Sequence, residues 1–468
     1  KMKISISNFK AIKDLYQFEI KPFTILSGVN STGKSSLIQL LLLLKQSIEV
    51  DSANETLILN GDFFKSSEFE QLVYQKNPEN KLRVTFNFDK NEFSKNVGVG
   101  RRIAVYDALG DYSCKLSVEF DSYEYNIIVT EFSIKMVFEG GRADSINFVI
   151  SKNGKLNYSI NTDSGLFGSE LLAEKREVEK INFSSFFPRD YSYFPSKTGS
   201  FEIADFKYFI ANFFEKISYI EPLRNPPEEN YQKVDSNSDV GTRGEFTAQI
   251  LREFADSPIQ FSKMIENENG VIFKTEKGSL LEAVNYWVCD VFKVAKRIYS
   301  EREEEQYRIL LENESGLIVS VKHVGFGISQ ILPIIVEGLR LSEGESLYLE
   351  QPEAHLHPKL QSQLFDFLYS LILQGKNVFL ETHSDHLITR MRRRIAEDLT
   401  NEMSQKINLT FIESKNSNIK GKYGTLFFRR IDFNELGTMD IFPKDFMEQT
   451  NIELKAIIDA QMRKRTKE

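Results

Sequence analysis

The stretch Gly28-Val-Asn-Ser-Thr-Gly-Lys-Ser-Ser36 decides the fold of this 468-residue chain. It follows the apolar residues 22–27 and precedes the leucine-rich residues 37–45. A strand, a glycine loop and a helix in this order predict a phosphate-binding loop rather than a chance match to the G-x-x-x-x-G-K-[ST] pattern. Successive N–H groups of the loop and the N-terminus of the helix would hold the phosphates.

The residues of this loop have separate predicted tasks. Lys34 is expected to reach the β- and γ-phosphates, and the hydroxyl of Ser35 is expected to ligate Mg²⁺. The complete predicted ATP-binding set is Gly28, Asn30, Ser31, Thr32, Gly33, Lys34, Ser35 and Ser36. The sequence therefore predicts a protein that binds a nucleoside triphosphate together with Mg²⁺.

Composition favours a cytoplasmic protein. No apolar run approaches the roughly 18–20 residues of a membrane span, and the N-terminus has no signal-peptide core. The two cysteines, Cys114 and Cys289, form no motif, which is typical of a reducing compartment. The net charge is −8, so any contact with DNA would need a local basic patch.

Carboxylates that could complete the site occur far downstream. Residues 346–353 read as a short strand that ends in acids, with Glu350 on the metal side and Glu353 placed as a general base. Upstream, residues 324–333 contain two glycines, Ser-Gln and an apolar run, which indicates a loop that leads into a helix. Another short strand, residues 377–381, is followed directly by Thr382-His-Ser-Asp-His.

These motifs follow one another in the order of an ABC-type ATPase head. The chain resembles the AAA ATPases of the RecF, SMC and overcoming-lysogenization-defect group, and within it the stand-alone ATPases of bacterial anti-phage systems such as the Septu ATPase subunit. Phe9-Lys10, residues 219–224 and residues 441–446 carry the same resemblance, whereas residues 80–215 match poorly. The 85 residues after His383 are too few for the additional nuclease domain of overcoming-lysogenization-defect proteins.

The resemblance implies a homodimer or a higher even oligomer, in which two heads face each other with two ATP molecules between them. It implies that Glu353 polarises the attacking water and that His383 binds the γ-phosphate. The residues that would face outward and contact the ATP of the other subunit are Gly325, Gly327, Ser329 and Gln330. Glu350 stands where Asp is usual, so its longer side chain would reach Mg²⁺ directly or through a water. Gln46 and Gln71 are the candidates for the Q-loop.

The split motifs predict an α/β fold: an ABC-ATPase-like P-loop head that is split in sequence and carries an inserted β-rich plus helical region. The predicted segments are residues 1–80 and 305–419 for the two halves of the head, 81–165 for a β-rich insertion, 166–304 for a helical insertion with a return strand, and 420–468 for a small strand–helix unit. Expected strands are residues 82–88, 126–132 and 145–151, with a turn at 152–154. Helices are expected in residues 166–215 and 245–298, for example Phe246–Ile265.

Two residue clusters allow other interpretations. All five histidines fall between residues 323 and 386, so some of them could bind a transition metal with nearby carboxylates. Four arginines, Arg390, Arg392, Arg393 and Arg394, could form a solvated helix face or a stripe that binds DNA or a partner.

The functional hypothesis is an ATP-hydrolysing sensor or regulator of a bacterial anti-phage system that controls a separate effector, such as a nuclease. Two alternatives remain: a RecF-like ATPase that repairs or clamps DNA, and an ATP-dependent scaffold that sequesters a toxin.

Overall fold

A computed structural model describes residues 2–28, 33–50, 52, 55–96, 110–124, 126–139, 143–151, 157–162, 176–178, 181–189, 193–196, 199–234, 239–267, 270–415, 424–443, 453 and 456–458. The chain divides into two compact units. The first unit comprises Lys1–Ile20, Ser35–Ile217 and Ser414–Phe427. The second unit comprises Lys21–Lys34, Ser218–Glu413 and Phe428–Glu468.

The strands are short and numerous. They are β1 (Lys3–Phe9), β2 (Ile12–Glu19), β3 (Phe23–Gly28), β4 (Leu82–Asp89), β5 (Tyr112–Tyr123), β6 (Asn126–Phe138), β7 (Ala143–Ser151), β8 (Asn157–Thr162), β9 (Arg176–Val178), β10 (Phe183–Ser184), β11 (Phe187–Pro188), β12 (Tyr193–Ser196), β13 (Gly199–Glu202), β14 (Ile217–Ile220), β15 (Tyr231–Gln232), β16 (Pro258–Asn267), β17 (Gly270–Ser279), β18 (Arg297–Glu303), β19 (Gln306–Glu312), β20 (Ile318–Ser320), β21 (Ser346–Glu350), β22 (Asn377–Glu381), β23 (Ile407–Lys415) and β24 (Thr425–Ile431).

The α-helices among the described residues are fewer; the first three belong to the first unit and the others to the second. They are α1 (Ser35–Val50), α2 (Lys90–Asn96), α3 (Ile203–Glu215), α4 (Thr247–Glu253), α5 (Leu280–Asn285), α6 (Phe326–Arg340), α7 (Pro358–Leu373), α8 (Asp385–Glu397) and α9 (Glu402–Lys406). Among the described residues, every helix falls short of the length and apolarity that a membrane crossing requires.

The first unit is built on an eight-stranded antiparallel sheet with the order β2-β1-β4-β5-β6-β7-β8-β9. Side chains along β5 begin by alternating between buried and exposed, as expected for a sheet with one covered face. The predicted strands at residues 82–88, 126–132 and 145–151 are confirmed. The turn predicted at residues 152–154 lies outside the described residues.

The second unit contains a six-stranded sheet with the order β14-β21-β22-β3-β23-β24. Strands β21, β22, β3 and β23 run parallel to one another, and the strands expected at residues 346–353 and 377–381 are confirmed as β21 and β22. Strand β21 is buried at every position and β3 and β22 nearly so, which is typical of parallel strands covered by helices on both faces. Parallel strands bring their carboxyl ends to one edge, where ligands bind in α/β proteins.

Aromatic packing fixes this sheet against its helices. Phe23 of β3 stacks on Phe365 of α7 with ring centroids 5.6 Å apart, and Trp287 meets Phe367 edge to face at 5.2 Å. All four rings are fully buried. Because buried aromatic contacts hold β3 and α7 in one arrangement, side chains at the carboxyl edge of the sheet are attached to a rigid part of the structure.

Two helical predictions are wrong in part. Inside the region predicted as helix from 166 to 215, the described residues between 176 and 202 include the short strands β9–β13, and the helix among the described residues is α3. The predicted helix Phe246–Ile265 ends after α4, and β16 and β17 form a hairpin in its place. Proline at position 258 cannot continue a helix, and Gly270 has a φ of +125°, which suits the turn between the strands.

The two units group the residues differently from the predicted segments. Of the first 80 residues, only Lys21–Lys34 belong to the same unit as residues 305–413. Residues 245–304, expected in an insertion, also belong to that second unit, where Trp287 and Ile298 join its core. In the predicted C-terminal unit, the structure describes β24 and little of the expected helix, residues 451–464.

Candidate nucleotide-binding and hydrolysis site

The two ends of the phosphate loop are described, and both have the predicted local structure. Strand β3 ends at Gly28, and α1 begins at Ser35, directly after Lys34. A Cβ atom at Gly28 would lie 2.3 Å from the carbonyl oxygen of Ile412, so only glycine fits beside β23. Gly33 has a φ of +89°. Asn30, Ser31 and Thr32 lie outside the described residues, so their role in ATP binding stays a prediction.

Lys34 is a buried cation at the carboxyl edge of the sheet. Its side chain lies back over the loop, and Nζ donates a hydrogen bond to the carbonyl of Gly28 at 3.1 Å. Burial lowers the pKa of Lys34 to about 8, and the nearby carboxylates of Glu381 and Glu353 oppose this shift. An ammonium group that has lost water and faces two acids is well placed to gain from an incoming phosphate anion.

Glu353 is a buried carboxylate with one oxygen uncommitted. Its Oε1 accepts a hydrogen bond from the backbone N–H of His383 at 2.6 Å. Its Oε2 is fully buried and has no hydrogen-bond partner among the described residues. Burial raises the pKa of Glu353 above its ordinary value, although hydrogen bonds such as that from His383 oppose the shift. This arrangement suits a general base, since one oxygen is fixed and the other is free to accept a proton.

His383 lies between the base and the phosphate loop. It follows β22 directly, and Ser384 caps the N-terminus of α8 by accepting a hydrogen bond from Leu387 N–H. Burial, and then the charge of Lys34, lower the pKa of the His383 imidazole, while a hydrogen bond to the Gly28 backbone raises it. The imidazole is therefore neutral at pH 7. The structure thus brings Gly28, Lys34, Glu353 and His383 together, as predicted.

Glu350 ends β21, and its carboxylate is held by a tyrosine. Tyr219 of β14 donates its hydroxyl proton to Glu350 Oε1 at 2.7 Å, and both side chains are buried. Burial and the charge of Glu350 raise the pKa of the Tyr219 hydroxyl, so it remains a donor. In the sheet register Glu350 lies opposite Glu381 on the neighbouring strand. Tyr219 therefore orients the carboxylate that is the predicted Mg²⁺ ligand.

The predicted signature lies at the start of α6. The helix begins at Phe326, so Gly327, Ser329 and Gln330 lie in its first two turns, and only Gly325 precedes it. Gly325 is exposed, and no atom lies within 4 Å of where its Cβ would be. Ser329 and Gln330 are buried, at 8% and 1% exposure. The outward orientation predicted for all four residues is wrong for these two, because the apolar face of α6 turns their side chains inward.

Sequence reasoning assigned no role to three residues of this site. Tyr219 orients Glu350, Arg224 contacts the loop before Glu353, and Glu381 interacts electrostatically with Lys34. Glu381 could have been found as an acid that ends an apolar strand, as Glu350 does. Residues 219–224 were noted for their family resemblance, but nothing local in the sequence pairs Tyr219 with Glu350 or Arg224 with residues 351–352.

The Q-loop candidates do not lie in an open site. The Gln46 side chain donates to the carbonyls of Ile58 and Phe64 and accepts from Phe64 N–H, so it holds residues 58–64 in place. Gln71 is exposed and donates to Ser67. The amide of Gln46 is thus used within the first unit.

The histidine cluster and the arginine run were the two clusters with alternative interpretations, a transition-metal site and a stripe that binds DNA or a partner. His355, His357 and His386 are exposed, and no group of three or more His, Cys, Asp or Glu in the described part of the chain is arranged to hold a metal ion. Arg394 is buried and forms a two-point ion pair with Asp366 at 2.7 and 3.1 Å, and Arg390 contacts the same carboxylate.

The two remaining arginines of the run are also engaged. Arg393 pairs with Glu397, and Arg392 donates to the carbonyl of Gly437. The arginine run is therefore largely committed to contacts within the second unit, with Arg393 at its exposed end, and an open basic stripe does not describe it.

Comparison with known proteins assigns a family. The family model described as "AAA ATPase domain" matches residues 2–388, which is most of the chain. No curated protein matches the chain significantly.

Several solved structures resemble the chain at low identity. The SMC head domain from Thermotoga maritima is 9% identical with a TM-score of 0.35, over 91% of this chain and 98% of that chain. An SMC head bound to the C-terminal winged-helix domain of ScpA is 10% identical with a TM-score of 0.39, over 92% and 97% of the two chains. At these values the similarity assigns no residue or partner to this chain.

Proposed function

Because the chain belongs to the AAA ATPase family, we propose that it binds ATP with Mg²⁺ and hydrolyses it in a homodimer or a higher even oligomer. One observation carries this proposal. The buried cation of Lys34 interacts electrostatically with the buried carboxylate of Glu353, whose Oε2 has no hydrogen-bond partner among the described residues. A desolvated cation and a desolvated base at one sheet edge are what phosphoryl transfer to water requires.

In the proposed reaction the ammonium of Lys34 neutralises charge on the β- and γ-phosphates. Binding of ATP replaces the water that Lys34 has lost, so its low pKa rises again in the complex. Glu353 accepts the proton of the attacking water on Oε2 while His383 N–H holds Oε1. The neutral imidazole of His383 donates a hydrogen bond to the γ-phosphate.

The residues present fit a magnesium ion. Mg²⁺ prefers oxygen ligands, and Glu350 offers a carboxylate at the end of β21. The Ser35 hydroxyl stays the second ligand that the sequence predicts. The Tyr219 hydroxyl donates a hydrogen bond to Oε1 of Glu350 and so fixes the orientation of this carboxylate, the proposed ligand of the metal or of a metal-bound water. When bound, the ion would supply neutralisation of phosphate charge during transfer.

The dimer is supported by the open N-terminus of α6. This helix has 15 residues, so its first amides present partial positive charge beside the exposed Gly325. The β- and γ-phosphates held by Lys34 in a second copy of this chain are anions that would complement it. We propose that Gly325 and the first amides of α6 contact that nucleotide, while Ser329 and Gln330 support the helix start from within.

The output of this cycle is proposed to be control of a separate effector, such as a nuclease, in a bacterial anti-phage system. The residues that resemble such ATPases include residues 219–224, which contact the loop before Glu353. The arginine run at residues 390–394 is engaged within the unit, so it gives no support to DNA clamping.

Mg²⁺-dependent ATP turnover by the purified chain tests the proposal. Lys34→Ala should lower the rate at least about 100-fold, because the cation that offsets the phosphate charge is lost. Lys322→Ala, which removes an exposed lysine of the same unit, is the matched control and should keep the parental rate. Parental turnover in Lys34→Ala would refute the proposed site, and a parental chain without turnover would refute the function.

A further inference from the structure

Arg224 is buried beside the loop that carries the proposed base. It follows β14 and is 4% exposed. Nη1 donates to the carbonyl of Gln351 at 3.4 Å, and Nη2 donates to the carbonyl of Pro352 at 3.2 Å. Nη1 also contacts the carbonyl of Glu221 in its own segment. The guanidinium thus joins two successive carbonyls of one loop to the segment after β14.

Burial of the Arg224 guanidinium is unfavourable in free energy unless the charge is compensated or serves a function. Removal of a guanidinium from water costs several kcal/mol unless charge and hydrogen bonds compensate it. Burial lowers the pKa of Arg224 to about 10, and the charge that opposes this shift is Glu353. Its Nε has no hydrogen-bond partner among the described residues. An apolar side chain would fill the same space at lower cost, so overall stability does not explain the arginine.

The loop that Arg224 contacts has a strained backbone. Gln351 has a φ of +45°, a left-handed conformation that is unfavourable for a residue other than glycine. Its N–H donates to the carbonyl of Glu381 on β22 at 2.8 Å, and its own carbonyl accepts from Ala354 N–H at 3.1 Å. These contacts and those of Arg224 hold the turn between Glu350 and Glu353 in a conformation that it would otherwise leave.

We propose that Arg224 is a positioning residue for ATP hydrolysis, whose guanidinium fixes the Gln351–Pro352 main chain so that Glu353 aims its free oxygen at the attacking water. The inference rests on the proposed function. It assigns Arg224 no contact with ATP, so substitution should affect the chemical step and leave nucleotide binding through Lys34 intact.

The first test compares Arg224→Gln, Arg224→Lys and the control Arg252→Gln, which removes an exposed arginine of α4. Arg224→Gln should lower kcat at least about tenfold, since displacement of a catalytic group by 1 Å can lose far more. The Kd of a non-hydrolysable ATP analogue should stay within about threefold. The kcat of Arg224→Lys should lie between those of the parental chain and Arg224→Gln, because an ammonium keeps the charge but lacks the planar guanidinium that contacts two carbonyls.

The second test combines Arg224→Gln with Glu353→Gln. If Arg224 acts only by positioning Glu353, its substitution has no further effect once that base has been replaced. The double variant should therefore turn over ATP at the rate of Glu353→Gln alone. Equal losses in both backgrounds, or a loss of kcat that parallels weaker analogue binding, would show a general structural role and overturn the inference.

The remaining outcomes are also decisive. If Arg224→Gln does not fold, Arg224→Lys decides, and a parental kcat in that variant overturns the inference. If the Lys34 and Glu353 variants lose turnover and the Arg224 variants keep the parental kcat, this inference is refuted and the proposed function stands. Absence of turnover in the parental chain would remove the proposed function as well.

Discussion

Replacement of Gly325 by aspartate separates a composite site from a self-contained one. The residue caps the N-terminus of α6 with φ −55° and ψ 141°, which any residue adopts, and its Cβ would meet no atom within 4 Å. Aspartate is a favourable N-cap, so Gly325→Asp should change helix stability by only a few tenths of a kcal/mol. Gly325→Asn is the matched neutral control.

The two variants should differ strongly in turnover. If the γ-phosphate of a partner's ATP lies about 5 Å from the new carboxylate, each pair of charges repels by about 3 kcal/mol at an effective dielectric constant near 20. This corresponds to a loss of about 100-fold in kcat/KM for Gly325→Asp, while Gly325→Asn should remain within about threefold. Binding of ATP to isolated subunits through Lys34 should be unchanged in both.

The assay is ATP turnover after mixing Gly325→Asp with Lys34→Ala at equal concentration. In a mixed dimer, one of the two sites combines an intact phosphate loop with an intact α6 start. Random pairing should then restore roughly a quarter of the parental rate from two inactive proteins. Turnover per subunit should also rise with protein concentration until the dimer is saturated. Equal turnover of the two Gly325 variants, or no recovery on mixing, would refute the trans contact.

Three further predictions test the base, the metal ligand and the buried ion pair. Glu353→Gln should lower kcat about 10²–10⁴-fold while ATP still binds. The kcat of the parental chain should rise with pH through a pKa above the usual glutamate range, because the base must be ionised to accept a proton. This rise should be absent in Glu353→Gln, and a rise that persists in the variant would place the base elsewhere. Tyr219→Phe should raise the Mg²⁺ concentration for half-maximal turnover severalfold, since Glu350 loses a hydrogen bond worth about 1.5–3 kcal/mol; unchanged metal dependence would remove Glu350 from the metal site. Asp366→Ala should lower the free energy of unfolding in urea by about 3 kcal/mol, because the buried Arg394 loses its two-point partner and keeps only Glu397, while Arg393→Ala at the exposed end of the run should lower it by less than about 1 kcal/mol.

The elements that carry the site could be predicted from sequence because each has a local signal. The apolar run before Gly28, the leucines after Lys34 and the acid at the end of residues 346–350 are all contiguous, and the structure confirms strand, helix and strand there. The parallel pairing of β21 with β22 agrees with the helix α7 between them, since parallel neighbours need crossover connections.

The errors come from places where a short segment is compatible with two structures. Residues 258–279 contain enough apolar residues for a helix, yet they pair as a ten-residue hairpin from Pro258↔Ser279 to Asn267↔Gly270. Ser329 looked exposed because its motif resembles a signature, whereas the apolar face of α6 buries it. Tyr219 and Arg224 were missed because their partners lie more than 120 residues away, at positions 350–352.

The start of α6 and the base loop are linked through one polar segment of the second unit. A Cβ at Gly244 would lie 2.4 Å from the Pro333 ring of α6, so the loop at residues 241–244 packs directly on that helix. The same loop accepts a hydrogen bond from Glu221 N–H at the Thr242 carbonyl, 2.8 Å, and Arg224 lies three residues after Glu221. Because residues in one hydrogen-bonded network are not energetically independent, substitutions at Gly244 and Arg224 should not be additive in kcat. Residues 241–244 thus contact both α6, the helix proposed to contact the partner's ATP, and the segment whose Arg224 holds the loop of the base Glu353.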